Sequence, residues 1–250
     1  MLFFIVIIVL NIILRFITVY SIIEFPSYTL LEKKLDELDA FTKLEHPTYA
    51  DRQWGIASLS LYAQFKTRFM AKHLHHIGKN AVTICELGFN AGHSALIFLE
   101  GSPKTTKVYS FDLGDTLWSK RNSEYITKEY GDRFTYIKGD SVTTLGHPTY
   151  SKLSCDILLI DGSKDGYHRR QDILLFRNIS HPGSFLFLDE VNNFPCVSGA
   201  ISFDHTGCSR GPYAACSKEY NKLVREKIMK VHDCTETPTL DDGFCLAEFL

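Results

Sequence analysis

From Ala81 onward the chain alternates short apolar runs with helix-compatible segments, and that alternation leaves few architectures open. The pattern predicts strands over 81–86, 107–112, 134–138, 156–161 and 183–189. Helices are predicted between them over 93–100, 117–130, 142–147 and 167–177. Short strands separated by helices make β-α-β units, whose right-handed crossovers build a parallel sheet covered on both faces. The tail reads as a helix over 213–225, then two strands over 227–234 and 243–250 joined by a Pro/Thr/Asp loop. A closing hairpin of this kind sets one strand antiparallel to the rest. The expected fold is therefore α/β, a doubly wound, Rossmann-like sheet, mostly parallel, with helices on both faces.

The stretch Ala81–Ala95 opens this pattern and carries its most informative residues. Ala81 to Cys85 is a β-branched, apolar run that stops at Glu86 and meets two glycines, Gly88 and Gly92. Gly88 can take positive φ, and Gly92 lets the backbone approach a ligand without a Cβ clash. His93 to Glu100 then supplies a helix whose free N–H groups face the crevice at the strand ends. Strand, glycine turn and helix make a nucleotide-type site. Glu86 refines it, because an acid beside the turn repels a pyrophosphate and attracts an ammonium or sulfonium.

Further acids end the later strands. Asp112 closes Val-Tyr-Ser-Phe-Asp, 20 residues after Gly92, the separation at which an acid meets ribose hydroxyls. Asp140, Asp161 and the pair Asp189-Glu190 follow the next three strands. Ligands of such sheets lie outside the carboxyl ends of the strands, where these side chains gather. Each alone also suits a helix cap or a turn; a carboxylate at nearly every strand end exceeds what turn chemistry requires.

The formal charge of −2 offers no basic footprint for nucleic acid, so a small-molecule or protein substrate is expected. Leu2 to Ile23 is nearly continuous apolar sequence interrupted by Asn11 and Arg15, the composition of a signal anchor or a signal-peptide core. Five of the seven cysteines (Cys196, Cys208, Cys216, Cys234 and Cys245) fall in the last quarter of the chain, which suggests local disulfides in an oxidising lumen. Cys234 and Cys245 flank the predicted hairpin and are the first pairing to expect. These features divide the chain into a leader over 1–25, a linker or lid helix and loop over 26–55, and a catalytic domain over 56–250 with a cysteine-containing insertion at about 192–216. They imply a membrane-anchored protein with a lumenal or extracellular domain, or a secreted one if the leader is cleaved.

Glu86-Leu-Gly-Phe-Asn-Ala-Gly-His-Ser94, Phe111-Asp112, Gly139-Asp-Ser141, Ile160-Asp-Gly-Ser-Lys-Asp-Gly-Tyr167 and Phe187-Leu-Asp-Glu190, in this order and spacing, resemble the class I S-adenosylmethionine-dependent methyltransferases. The closest branch is that of the catechol and caffeoyl-CoA O-methyltransferases. The resemblance implies that Glu86, Gly88, Phe89, Asn90, Gly92 and Ser94 hold the methionine part of the cofactor. It implies further that Asp112 accepts the ribose hydroxyls, that Asp140 and Ser141 sit at the adenine, and that Asp161 lies beneath the methionyl end.

Metal-dependent members place a divalent cation on positions that are here Asp161, Asp189 and Glu190, although Glu190 stands where Asn is expected. All-oxygen ligands suit Mg²⁺ or Ca²⁺. Lys164 matches a lysine proposed as general base, and His168 is a second base candidate or a helix-surface histidine. The implied reaction is O-methylation of a small hydroxylated acceptor by direct in-line transfer. A dehydrogenase-like enzyme is the rival, but it has no use for Glu86; a catalytically silent member of the methyltransferase fold is another.

Overall fold

The computed structural model describes residues 26–46, 61–191, 214–235 and 243–250. The apolar leader, the segments 47–60 and 192–213 and the hairpin loop 236–242 lie outside the described residues. With them lie Cys196, Cys208 and the proposed membrane segment.

Seven strands form one sheet: β1 (Thr83–Leu87), β2 (Lys107–Asp112), β3 (Phe134–Lys138), β4 (Cys155–Ile160), β5 (Ser180–Val191), β6 (Met229–Thr235) and β7 (Gly243–Phe249). Their order is β3-β2-β1-β4-β5-β7-β6. The first five run parallel, and β7 pairs antiparallel to both β5 and β6, so it alone opposes the rest. The sheet changes direction of winding at β1 and β4, the topological switch point where ligands of such sheets sit.

Among the described residues seven α-helices pack on it: α1 (Pro26–Glu45), α2 (Leu61–Ile77), α3 (His93–Gly101), α4 (Ser119–Tyr130), α5 (Ser141–Leu145), α6 (Gly166–Asn178) and α7 (Ala214–Arg225). Alternation along the strands divides the core into two layers. Ile84, Ile157, Leu159, Phe187, Phe244 and Leu246 pack with leucines and aromatics of α1 to α3. Cys85, Leu158, Ile160, Leu186, Leu188 and Cys245 point the other way, towards Ile173 and Phe176 of α6 and Tyr220 and Leu223 of α7. The near-continuous apolar runs of β4 and β5 follow from burial on both faces.

The helix expected within the linker or lid region, α1, is packed into the first layer. Leu31, Leu35 and Leu38 are buried, the Asn122 amide donates to the Thr42 hydroxyl at 2.8 Å, and Asp39 meets His93 at 2.7 Å. Cys234 and Cys245 sit opposite each other in the β6–β7 register and are joined as a disulfide. A second disulfide joins Cys85 of β1 to Cys155 at the start of β4, across a sequence separation of 70. Nothing in the spacing of these two cysteines announces that pairing. Cys216, in α7, is a buried free thiol.

Candidate active site

The crevice begins at the end of β1. Glu86 is wholly buried, with one oxygen, Oε1, accepting from the Ser110 hydroxyl of β2. Its other oxygen, Oε2, has no hydrogen-bond partner. Burial pushes the Glu86 carboxyl up to about 7, the hydroxyls of Ser110 and Ser94 pull the other way, and the negative charges of Asp112 and Asp161 add to the rise. A buried, unpaired carboxylate oxygen costs free energy in the empty protein, and a cation placed beside it removes that cost.

The turn after Glu86 explains its glycines. Gly88 has φ +99°, and a Cβ there would lie 2.2 Å from the Asp161 carbonyl oxygen, so only glycine lets β1 and β4 approach at their carboxyl ends. Gly92 has φ +90°, and a Cβ would meet Phe89 and Ile126 at 2.7 Å. Asn90 also takes positive φ, +47°. Its strained backbone is braced on every side: N–H to Asp112 Oδ2 at 2.9 Å, carbonyl from Ser119 at 2.9 Å, side chain from the Trp118 indole at 2.6 Å.

The remaining residues that the resemblance brought forward divide by what their side chains touch. Asp112 accepts from the backbone N–H groups of Asn90 and Gly114, one on each oxygen, and retains lone pairs on both. Asp140 is exposed and caps α5 by accepting from Thr143 N–H at 3.2 Å. Ser141 donates to Asp172 at 2.6 Å. The Phe89 ring is buried against Phe134 and Tyr136, with centroids 5.7 Å and 5.0 Å away, so its side chain serves the core and its backbone borders the crevice. His93 Nε2 donates to Asp39 Oδ1 of α1, tying that helix to the start of α3. His168 is exposed and shares Asp165 with the α6 N-terminus, a capping role.

At the β4 and β5 ends lies a compact ionic cluster. Lys164 Nζ donates to Asp161 Oδ1 at 2.7 Å and contacts Glu190 Oε1 at 2.5 Å. Arg169, wholly buried on α6, gives Nη2 to Glu190 Oε2 at 2.5 Å, and it also donates to the carbonyls of Ile160 and Ser163. Lys66 of α2 pairs with Asp189, whose Oδ1 also accepts from Glu190 N–H at 2.7 Å. Tyr220 of α7 donates to the Asp189 carbonyl at 2.7 Å. Glu190 holds φ +62° where β5 breaks register with β7, and these partners fix it there.

The electrostatics follow from the pairing. Burial would lower the Lys164 ammonium, but Asp161, Glu190 and Asp189 outweigh it and hold Lys164 well above the usual lysine range. It is held as a cation in this arrangement. Burial raises Glu190 to about 7 against the pull of Lys164 and Arg169. Burial and then Asp189 raise Asp161, whereas Lys66 and Lys164 overcome burial and keep Asp189 low.

The three acids expected to hold a metal, Asp161, Asp189 and Glu190, are engaged by these same cations. Both Glu190 oxygens, Asp161 Oδ1 and Asp189 Oδ1 are held by lysine, arginine or backbone donors. Among the described residues no group of three or more His, Cys, Asp or Glu side chains is arranged to hold a metal ion. Lys66 and Arg169 were not legible as site residues: Lys66 lies 123 positions from Asp189, and a buried arginine inside a helix has no signature of its own.

Comparison with known proteins agrees with this geometry. Residues 85–191 match the family model described as a methyltransferase domain. No curated protein sequence matches the chain. An O-methyltransferase from Bacillus cereus, solved in complex with SAH, superposes with a TM-score of 0.62 at 17% identity, covering 94% of this chain and 96% of that one. TomG, an O-methyltransferase from Streptomyces achromogenes involved in tomaymycin synthesis and solved with SAM, gives 0.59 at 15% identity over 85% of this chain and 89% of that one. A putative caffeoyl-CoA O-methyltransferase from Staphylococcus aureus gives 0.59 at 15% identity, over 88% of this chain and all of its own. At such identities the likeness establishes the fold. The segment 85–191 thus carries the residue pattern of the methyltransferase-domain family, and the chain has the fold of the class I S-adenosylmethionine-dependent methyltransferases.

Proposed function

We propose that the protein is an S-adenosylmethionine-dependent O-methyltransferase acting on a small hydroxylated acceptor. The observation that carries this reading is Glu86: a buried carboxylate with one unpaired oxygen, next to last in β1 and two residues before Gly88. S-adenosylmethionine brings a cationic ammonium and a sulfonium, and Glu86 Oε2 takes the ammonium while Ser94 and the backbone between Gly88 and Gly92 enclose the methionine part. Asp112, with lone pairs left on both oxygens, accepts the ribose hydroxyls. Asp140 and Ser141, at the next strand end, border the adenine.

Asp161 lies below the methionyl end and holds Lys164, whose ammonium orients the acceptor oxygen towards the methyl carbon. The O–C bond forms as the S–C bond breaks, its electron pair stays on the sulfur of S-adenosylhomocysteine, and the hydroxyl proton passes to solvent water. Positioning and fixed charge then supply the acceleration, and no covalent enzyme intermediate is needed. The disulfides Cys85–Cys155 and Cys234–Cys245 and the apolar leader support an oxidising compartment, with the domain lumenal, extracellular or secreted.

The test is proton-linked binding of S-adenosylhomocysteine, the product form of the donor, which keeps the ammonium. Pairing with that ammonium favours ionised Glu86 and lowers its pKa from about 7, so the complex releases a proton when formed near pH 6. The expected result is an affinity that is steady just above pH 7 and falls as pH drops below it, approaching about tenfold per pH unit. Calorimetric titration in two buffers of different ionisation enthalpy reads the proton directly. Saturable NAD binding in place of S-adenosylhomocysteine would replace this function with the oxidoreductase one.

A further inference from the structure

Among the described residues the ionic cluster at the β4 and β5 ends pairs its charges without any added ion. Three carboxylates, Asp161, Asp189 and Glu190, face three side-chain cations, Lys66, Lys164 and Arg169. A divalent ion brought to these acids would have to break at least the Lys164 contacts to Asp161 and Glu190. It would then face two displaced or closely crowded ammonium groups in a largely buried site, where water screens like charges least. Glu190 adds a second constraint. Its positive φ and its Arg169 partner hold Oε2 on a buried guanidinium, so it cannot turn that oxygen towards an ion without stranding Arg169.

We infer that Lys164 and Lys66, backed by Arg169, stand in the place where metal-dependent O-methyltransferases hold a divalent cation, and that this site binds no metal. Lys164 is the member of the three that the crevice can reach. Its side chain is 47% exposed, against 17% for Lys66 and none for Arg169. Two of its three N–H groups lie on Asp161 and Glu190, which leaves the third for an acceptor oxygen. Lys164 is a positioning cation, doing by a fixed charge what a Lewis acid does elsewhere.

The inference rests on the methyltransferase reading for the purpose of the site, but not for its ion content, so one preparation tests the two separately. Mn²⁺ serves as the probe for hard oxygen ligands, with the free-ion electron paramagnetic resonance signal reporting uptake by the full chain. For the wild type the signal is expected to track total Mn²⁺ with no saturable uptake. Lys164→Met, and Lys66→Met/Lys164→Met if the single variant retains the block, should expose the acids and take up about one equivalent, since oxygen-rich carboxylate sites suit such ions.

Near-ultraviolet circular dichroism identifies folded variants, and Lys164→Gln provides a milder one. Saturable wild-type uptake that Asp161→Asn abolishes would overturn the inference. So would folded lysine variants that still exclude the ion, because the lysines would then not be what fills the place. Failure to bind S-adenosylhomocysteine in the same samples would count against the methyltransferase function and leave the ion result standing.

Discussion

Arg169→Met is expected to lower the free energy of unfolding by about 3–5 kcal/mol, the usual loss when one partner of a buried ion pair is removed. Arg169 is wholly buried, and three of its nitrogens are committed: Nε to the Ser163 carbonyl at 2.8 Å, Nη1 to the Ile160 carbonyl at 2.7 Å, and Nη2 to Glu190. Methionine fills much of the volume and none of these bonds. It strands a carboxylate and two carbonyl oxygens at the junction of β4, β5 and α6. Denaturant unfolding measures the loss. Adding Glu190→Gln should recover part of it, because the amide no longer needs a cation; additive losses would mean that the pair is not coupled.

Glu86→Gln is expected to act in opposite directions on stability and on binding. In the unliganded protein the Glu86 carboxyl titrates near 7 rather than at its ordinary 4.5. Folding therefore favours the protonated form: the group costs nothing below its unfolded-state value and progressively more as pH rises through about 7. Removing the charge should stabilise the empty protein by about 1–3 kcal/mol at pH 8, with the gain vanishing near pH 4.5. The same change takes away the partner of the donor's ammonium and should weaken S-adenosylhomocysteine by about 2 kcal/mol or more, roughly 30-fold. Thermal unfolding with and without ligand reads both effects. A variant less stable at pH 8, or one that binds as tightly, would mean that Glu86 is an ordinary core residue.

The sheet was legible because its signal is periodic. β2 and β3 fall on the predicted residues 107–112 and 134–138, and the antiparallel β7 is where the closing hairpin requires it. Boundaries shifted where local chemistry outweighs periodicity: β5 begins at Ser180 rather than at 183, running through Pro182 and Gly183 at the irregular start of the strand. The fringe of acids was legible too, since each closes an apolar run. Their partners were not. Lys66, Arg169 and Tyr220 reach the cluster from three different helices, and only the packing of α2, α6 and α7 on the sheet brings them there. The direction of the Phe89 side chain was not legible for a related reason: motif spacing locates its backbone but does not say which way a side chain turns, and here the ring turns into the aromatic layer with Phe134 and Tyr136.

The central claim, that carboxylates at successive strand ends hold a cationic sulfur nucleoside, is tested most directly by titrating S-adenosylhomocysteine into the wild type and Asp112→Ala at pH 7.5. The account predicts saturable one-to-one binding by the wild type. In the variant, losing charge-assisted bonds to the ribose worth about 1.5–3 kcal/mol should weaken binding roughly 10- to 100-fold. A folded wild type that ignores the compound, or a folded Asp112→Ala protein that binds it with unchanged affinity, would contradict the account.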